Sequence, residues 1–291
     1  MRVKLFSRRW RILKYCFCFF LILPWGCLPE PLDVDGLPVV KPQIVVSSQI
    51  ISDQSLLVLL TKTFGALDAS DDSDSEELLK QIAVDDAVVS ITDPDGTFEE
   101  LRSLNNGLYG SVSISFEEGK EYTLRVVSES LGEVTATTTV QRMVSFEDIE
   151  AELVYNGYDD TLAQITYRIN DAAEKNWYML NVQEVERADV VENLINPRAF
   201  TRLLDDIEFN GGTYQETFRV FPRDFIPGDT IAVSLSNISK EYYDFIRLRL
   251  DNRYTFVEYL SEPVNYPSNV KGGKGFFNLY VPDFEMFVLE Y

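Results

Sequence analysis

Between Leu108 and Phe116 the chain alternates strictly: Leu108, Gly110, Val112, Ile114 and Phe116 interleave with Tyr109, Ser111, Ser113 and Ser115. Successive side chains of an extended chain point to opposite faces, so a period of two fits a strand with one buried and one wet face. The pattern returns at Tyr122, Leu124 and Val126, and again at Val134, Ala136, Thr138 and Val140. Extended segments at 43–51, 55–64, 87–92 and 97–104 bring the total to about seven short strands, enough for a sandwich of immunoglobulin or transthyretin type. The expected fold is therefore mainly β, with this sandwich over residues 43–142. Asp93-Pro94-Asp95-Gly96 and Asn105-Asn106-Gly107 supply the side-chain caps and positive-φ positions that tight reversals need.

A second β-rich domain is expected over residues 143–291, with strands at 150–155, 162–170, 177–185, 214–221, 230–236, 276–281 and 285–291. Two short helices interrupt it. One is expected at 197–204. The other, at 239–250, places Tyr242, Phe245, Ile246 and Leu250 on one face and Glu241 in the first turn, where the helix dipole favours an acid. A hydrophobic content of 45% and an aromatic content of 13% are enough to give both regions packed cores.

The N-terminus has a different character. Six of the chain's 26 basic residues fall before Tyr15, and the apolar run Cys16 to Leu23 follows, ending in Pro24-Trp25-Gly26-Cys27. That run is about half the ~20 residues a helix needs to span a bilayer, so it reads as a secretion signal over residues 1–26. A small residue directly before a cysteine resembles a lipobox. Cleavage is expected after Gly26, with acylation of Cys27. Residues 27–42, rich in proline and acid and without periodicity, then form an extended tether.

Composition removes several chemistries. With 47 acidic residues and a net charge of −21, the chain lacks the basic stripe a phosphate backbone requires, so no nucleic acid is expected as a partner. There is no histidine, the usual general base and zinc ligand, and all three cysteines lie at or before position 27. Catalytic residues, a metal site and a cofactor are accordingly not expected. A glycosidase built on two carboxylates is the one enzyme class these absences leave open, and no spacing localises it.

Other motifs carry two readings. Asp93 and Asp95 suit either a turn or part of a calcium loop, although later ligand positions of an EF-hand are missing. The acidic run 71–77 reads as a solvated loop or a cation site. Lys271-Gly272-Gly273-Lys274-Gly275 lacks the strand and helix context of a phosphate cradle, which leaves a structural turn or a binding loop. Tyr155, Trp177 and Tyr178 could stack on sugars or fill the core.

The stretch from Pro267-Ser268-Asn269-Val270 through Gly272-Gly273, Gly275 and Phe276-Phe277 resembles the closing motif of the Bacteroidota lipoprotein family known as domain of unknown function 4249. The segments at 233–245, 88–96 and 107–109, together with Asn176-Trp177-Tyr178, are similar to other parts of that family. The resemblance implies an outer-membrane lipoprotein near a TonB-dependent nutrient receptor, and it carries no catalytic residues. The expected role is thus a non-catalytic binding or accessory component, lipid-anchored at the outer membrane. The alternatives are a structural or adhesive surface protein and the carboxylate-based glycosidase.

Overall fold

A computed structural model of the protein describes residues 41–51, 55–63, 75–155, 157, 161–185, 200–220, 225–252 and 265–291. No helix among them is long and apolar enough to cross a membrane. Gly26, Cys27 and the first part of the acidic run, 71–74, lie outside these residues.

The fold is mainly β; among the described residues it has four sheets around two large cores, with a third, smaller apolar cluster beside the second. The first core uses β1 (Ile44–Ile51), β2 (Ser55–Lys62), helix α1 (Ser75–Ile82), β3 (Ala87–Thr92), β4 (Phe98–Glu100), β5 (Arg102–Asn105), β6 (Leu108–Ser111), β7 (Glu121–Ser128) and β8 (Gly132–Thr139). Alternation governs it as expected: along β7 the pattern of buried and open side chains puts Tyr122, Leu124, Val126 and Ser128 inside. The end of the acidic run, expected as loop, belongs to α1.

Two expected strands are broken. The segment 97–104 divides at Leu101, with β4 at the edge of one sheet and β5 at the edge of the other. Leu101 is the pivot, buried, with its N–H donated to Val89 O at 2.8 Å. Beyond Ser111 the alternation of 108–116 continues but the strand does not. The Ser113 hydroxyl donates to Glu99 at 2.6 Å and its N–H to Ser111 Oγ at 3.2 Å, so local side-chain bonds replace the ladder. Phe116 then returns to the core edge-on to Tyr122, with ring centroids 5.2 Å apart.

The second core comprises β9 (Phe146–Tyr155), β10 (Thr161–Asn170), β11 (Trp177–Glu184), β12 (Phe200–Asp205), β13 (Thr213–Arg219), β14 (Thr230–Asn237) and, later, β17 (Asp283–Val288). Its sheets run β13-β10-β9 and β12-β11-β14-β17. The helix expected at 197–204 is replaced over its described part by β12, which pairs antiparallel with β11 from Val182–Phe200 to Trp177–Asp205. Phe200 and Leu204 serve the core as alternating strand residues, and that pairing overrides local preference. Helix α2 (Lys240–Asn252) forms where expected, its entry capped by Ser239, whose hydroxyl accepts from Tyr242 N–H at 3.2 Å.

The last part of the chain departs most from expectation. Residues 276–281, expected as a strand of the second region, serve the first core. β15 (Val270–Lys271) adds to β8, and β16 (Lys274–Phe276) lies parallel to β1. Val270, Phe277 and Leu279 enter the first core. Each of the last two, fully buried, contributes about 1.5–3 kcal/mol relative to exposure. From residue 277 the chain is no longer a strand and is held by side chains. Asn269 imitates a neighbouring strand by donating to Phe277 O at 2.7 Å and accepting from Phe277 N–H at 2.9 Å. Ser48 does the same for Asn278, accepting from its N–H at 2.6 Å and donating to its carbonyl at 3.0 Å.

Candidate interaction surface

The structure settles most of the two-way motifs. Asp93 Oδ1 accepts from Asp95 N–H at 2.9 Å and Thr97 N–H at 2.7 Å, so this carboxylate closes its own turn. Gly272, Gly273 and Gly275 are where the closing segment passes tightly against β1 and β8. A Cβ on Gly275 would stand 2.0 Å from Val46 O, and one on Gly273 2.5 Å from Ile44 O. Glycine is required by close approach here, which makes the stretch a clasp. Tyr178 is buried. Trp177 packs against α2 under Lys175, whose ammonium lies 5.6 Å from the ring centroid. Tyr155 is 59% exposed at the end of an edge strand.

Around Asn176-Trp177-Tyr178 the fold assembles a polar network that spacing could not foretell. Asp206, fully buried at the start of a 3-10 turn, accepts from Asn176 N–H at 2.5 Å and pairs with the Lys175 ammonium. Asn176 in turn accepts from Asn237 at 3.0 Å and donates to Glu174 O at 2.6 Å. Asp171 takes the Tyr178 phenol and Gly211 N–H, the latter at 2.8 Å. Burial, and then that carboxylate, push the Tyr178 phenol far above its usual range. Tyr167 is displaced in the same direction by burial and by Glu216, which it shares with Arg202. With every carboxylate in a bond or an ion pair, the network pins β11 to the turns beside it. Its chemistry is that of a structural joint.

A different face stands open. In β17 the odd-numbered residues Asp283, Glu285 and Phe287 point with the core-facing residues of β14, while Phe284, Met286 and Val288 pair with Ser234, Ala232 and Thr230 on the outer face. These three are 46%, 55% and 55% exposed. This edge strand thus turns an apolar row to water; of the acids on its other side Asp283 is half-buried and Glu285 is exposed.

Apart from Asp205, opposite Trp177 at the end under α2, the described residues around the apolar row on that face are neutral. Cross-strand rows run Thr201–Asn181–Ser234–Phe284 and Gln183–Ala232–Met286, with Thr230–Val288 beyond. No residue of these rows carries a charge, in a chain of net charge −21. The opposite sheet of the same core is the contrast, with Glu152, Gln164 and Arg219 in one row and Asp148, Arg168 and Gln215 in another. At its other end the neutral face is covered by α2, through Met179, Leu203 and Trp177. Depletion of charge around an apolar centre is the compositional mark of a protein-binding face.

None of the curated protein sequences is similar enough to match the chain. Among solved structures, a two-domain fibronectin type III segment of chicken tenascin is 11% identical, over 67% of this chain and 90% of that one, at a TM-score of 0.21. The chicken interferon gamma receptor alpha chain is 12% identical over 68% and 90%, also at 0.21. A pullulanase from Anoxybacillus sp. LM18-11, solved with maltotriose, is 11% identical over 67% and 24%, at 0.18. A family pattern matches far more of the sequence. It extends over residues 30–283, and the chain belongs to the family described as domain of unknown function (DUF4249).

Proposed function

We propose that this protein is a non-catalytic binding or accessory component of the outer membrane, held there by a lipid on Cys27, which docks on a TonB-dependent nutrient receptor. The observation that carries the reading is the neutral outer face of β12-β11-β14-β17 with Phe284, Met286 and Val288 along its rim. Alternation alone would bury that apolar row, and its exposure makes sense when a partner supplies the cover. The leader, the Gly26-Cys27 junction and the acidic tether support the anchor and the address.

The test is affinity capture from detergent-solubilised outer membrane of a native-type host, using the wild type, Cys27→Ala and Met286→Glu. The reading expects acyl chains on Cys27, a receptor captured by the wild type, and loss of that receptor in Met286→Glu at unchanged thermal stability. An unacylated wild type, or capture that Met286→Glu leaves intact, would overturn the anchor or the face respectively.

A further inference from the structure

We infer that residues 268–283 form a strap that locks the two cores into one rigid body, so that the neutral face is held at a fixed orientation to the start of β1. The inference follows from the path of the chain. Helix α2 packs on the outer face of the second sandwich, residues 270–279 serve the first core, and β17 returns to the second sandwich. The chain therefore passes between the cores three times; two of the passages, at 141–145 and 279–283, lie wholly among the described residues and run side by side, where a single crossing would act as a hinge.

The two crossings are tied to each other at both ends. Gln141 N–H donates to Leu279 O at 3.1 Å, and Phe146 N–H to Asp283 Oδ2 at 2.7 Å. A pair of segments bonded at both ends resists the twisting that one segment permits.

Helix α2 braces the joint. The strap sends Phe277 and Leu279 into the first core, and from its other side Phe276 and Tyr280 meet the helix. Phe245 lies 4.8 Å from Phe276, and Tyr242 lies 5.4 Å from Phe276 and 6.0 Å from Tyr280, centroid to centroid. The Tyr242 and Tyr280 phenols are hydrogen-bonded, and burial raises both above the usual tyrosine range. On its other flank the helix packs Tyr243 and Ile246 with Met179 of β11 and Ile238 just after β14, both on the second sandwich. One helix thus grips the strap and the second sandwich together.

The experiment is a spin-label distance measurement on the full chain with Cys16, Cys18 and Cys27 replaced by Ser, carrying Lys120→Cys on the first core and Gln215→Cys on the second, both exposed sites. A rigid joint gives one narrow distance distribution. Tyr280→Ala, which removes the brace, widens it about twofold by restoring the independent domain motion expected of a small interface. Asp283→Ala, which deletes only the acceptor of Phe146 N–H, widens it less. If Tyr280→Ala does not fold, Phe245→Leu takes its place. A broad or two-peaked distribution in the parent chain overturns the inference. So does a distribution that stays narrow in every folded variant.

Discussion

Replacing Gly275 by Ala tests the closing clasp at its tightest point. Gly275 has φ +91°, and a Cβ there would stand 2.0 Å from Val46 O and 2.9 Å from Val46 N and C. The conformational penalty for a non-glycine residue is about 1–3 kcal/mol. Forcing a methyl group against backbone adds about 1–3 kcal/mol more, because β16 must lift from the Val45, Val46 and Ser47 register to make room. The sum, about 2–6 kcal/mol, corresponds to a Tm lower by roughly 4–24 °C in a unit of this size. Gly96→Ala is the matched control, since Gly96 has φ +84° but nothing within 4 Å of its added Cβ. It carries the conformational penalty alone. Thermal melts followed by circular dichroism compare the two directly. If Gly275→Ala melts together with Gly96→Ala, the close approach to β1 has no energetic weight and the clasp argument is refuted.

Three further outcomes follow from the polar network and the first core. Lys175→Met strips the counter-charge from buried Asp206 and costs about 3–5 kcal/mol in denaturant unfolding, and adding Asp206→Asn recovers part of that loss. Tyr178→Phe removes the phenol's bond to Asp171 and costs about 1–3 kcal/mol by the same measurement, while absorbance titration of the wild type shows the Tyr167 and Tyr178 phenols protonated until the fold is lost. Asp86 is held below its ordinary value by the Ser130 side chain, against burial, and by bonds from the Ser128 hydroxyl at 2.8 Å and Ser130 N–H at 2.9 Å. A lowered folded-state pKa means that its stabilisation is fully present above the unfolded value of about 3.9 and fades as pH falls through the folded one. The stability gap between wild type and Asp86→Asn therefore shrinks between neutral pH and about pH 3, and a gap independent of pH contradicts the assignment.

The strands legible in the sequence are those whose alternation is long and whose partners are near. β7 and β8, β9 and β10, and α2 with its apolar face all fall in this class. The clasp was not legible, because β15 and β16 are two and three residues long, too short for any period to show. Their partners stand far away in the chain, at Ala136 for Val270 and at Val46 for Gly275. The glycines announced a turn correctly, but their reason, backbone approaching within a Cβ of Val46 and Ile44, exists only in the assembled fold. At 97–104 and 108–116 the alternation was real and the continuity was not, since a buried Leu101 and the Ser111–Ser113–Glu99 bonds interrupt strands that a period of two cannot see ending.

The candidate face was hidden for a more instructive reason. Read alone, Asp283 to Tyr291 assigns Phe284, Met286 and Val288 to a core and their odd-numbered neighbours Asp283 and Glu285 to water. Tertiary structure turns the apolar row outward while Glu285 stays in water, because Asp283 is needed by Phe146 N–H at the crossing and Phe287 and Leu289 are needed by the second core. A register slip of one residue would restore the expected faces but break both, so the strand keeps its inverted register. Three exposed apolar side chains on one strand are the consequence. Their neighbours across β14, β11 and β12 are neutral as well, which that register alone does not require. Two independent departures on one surface, apolar residues turned outward and charge withheld around them, are what the proposed docking face requires.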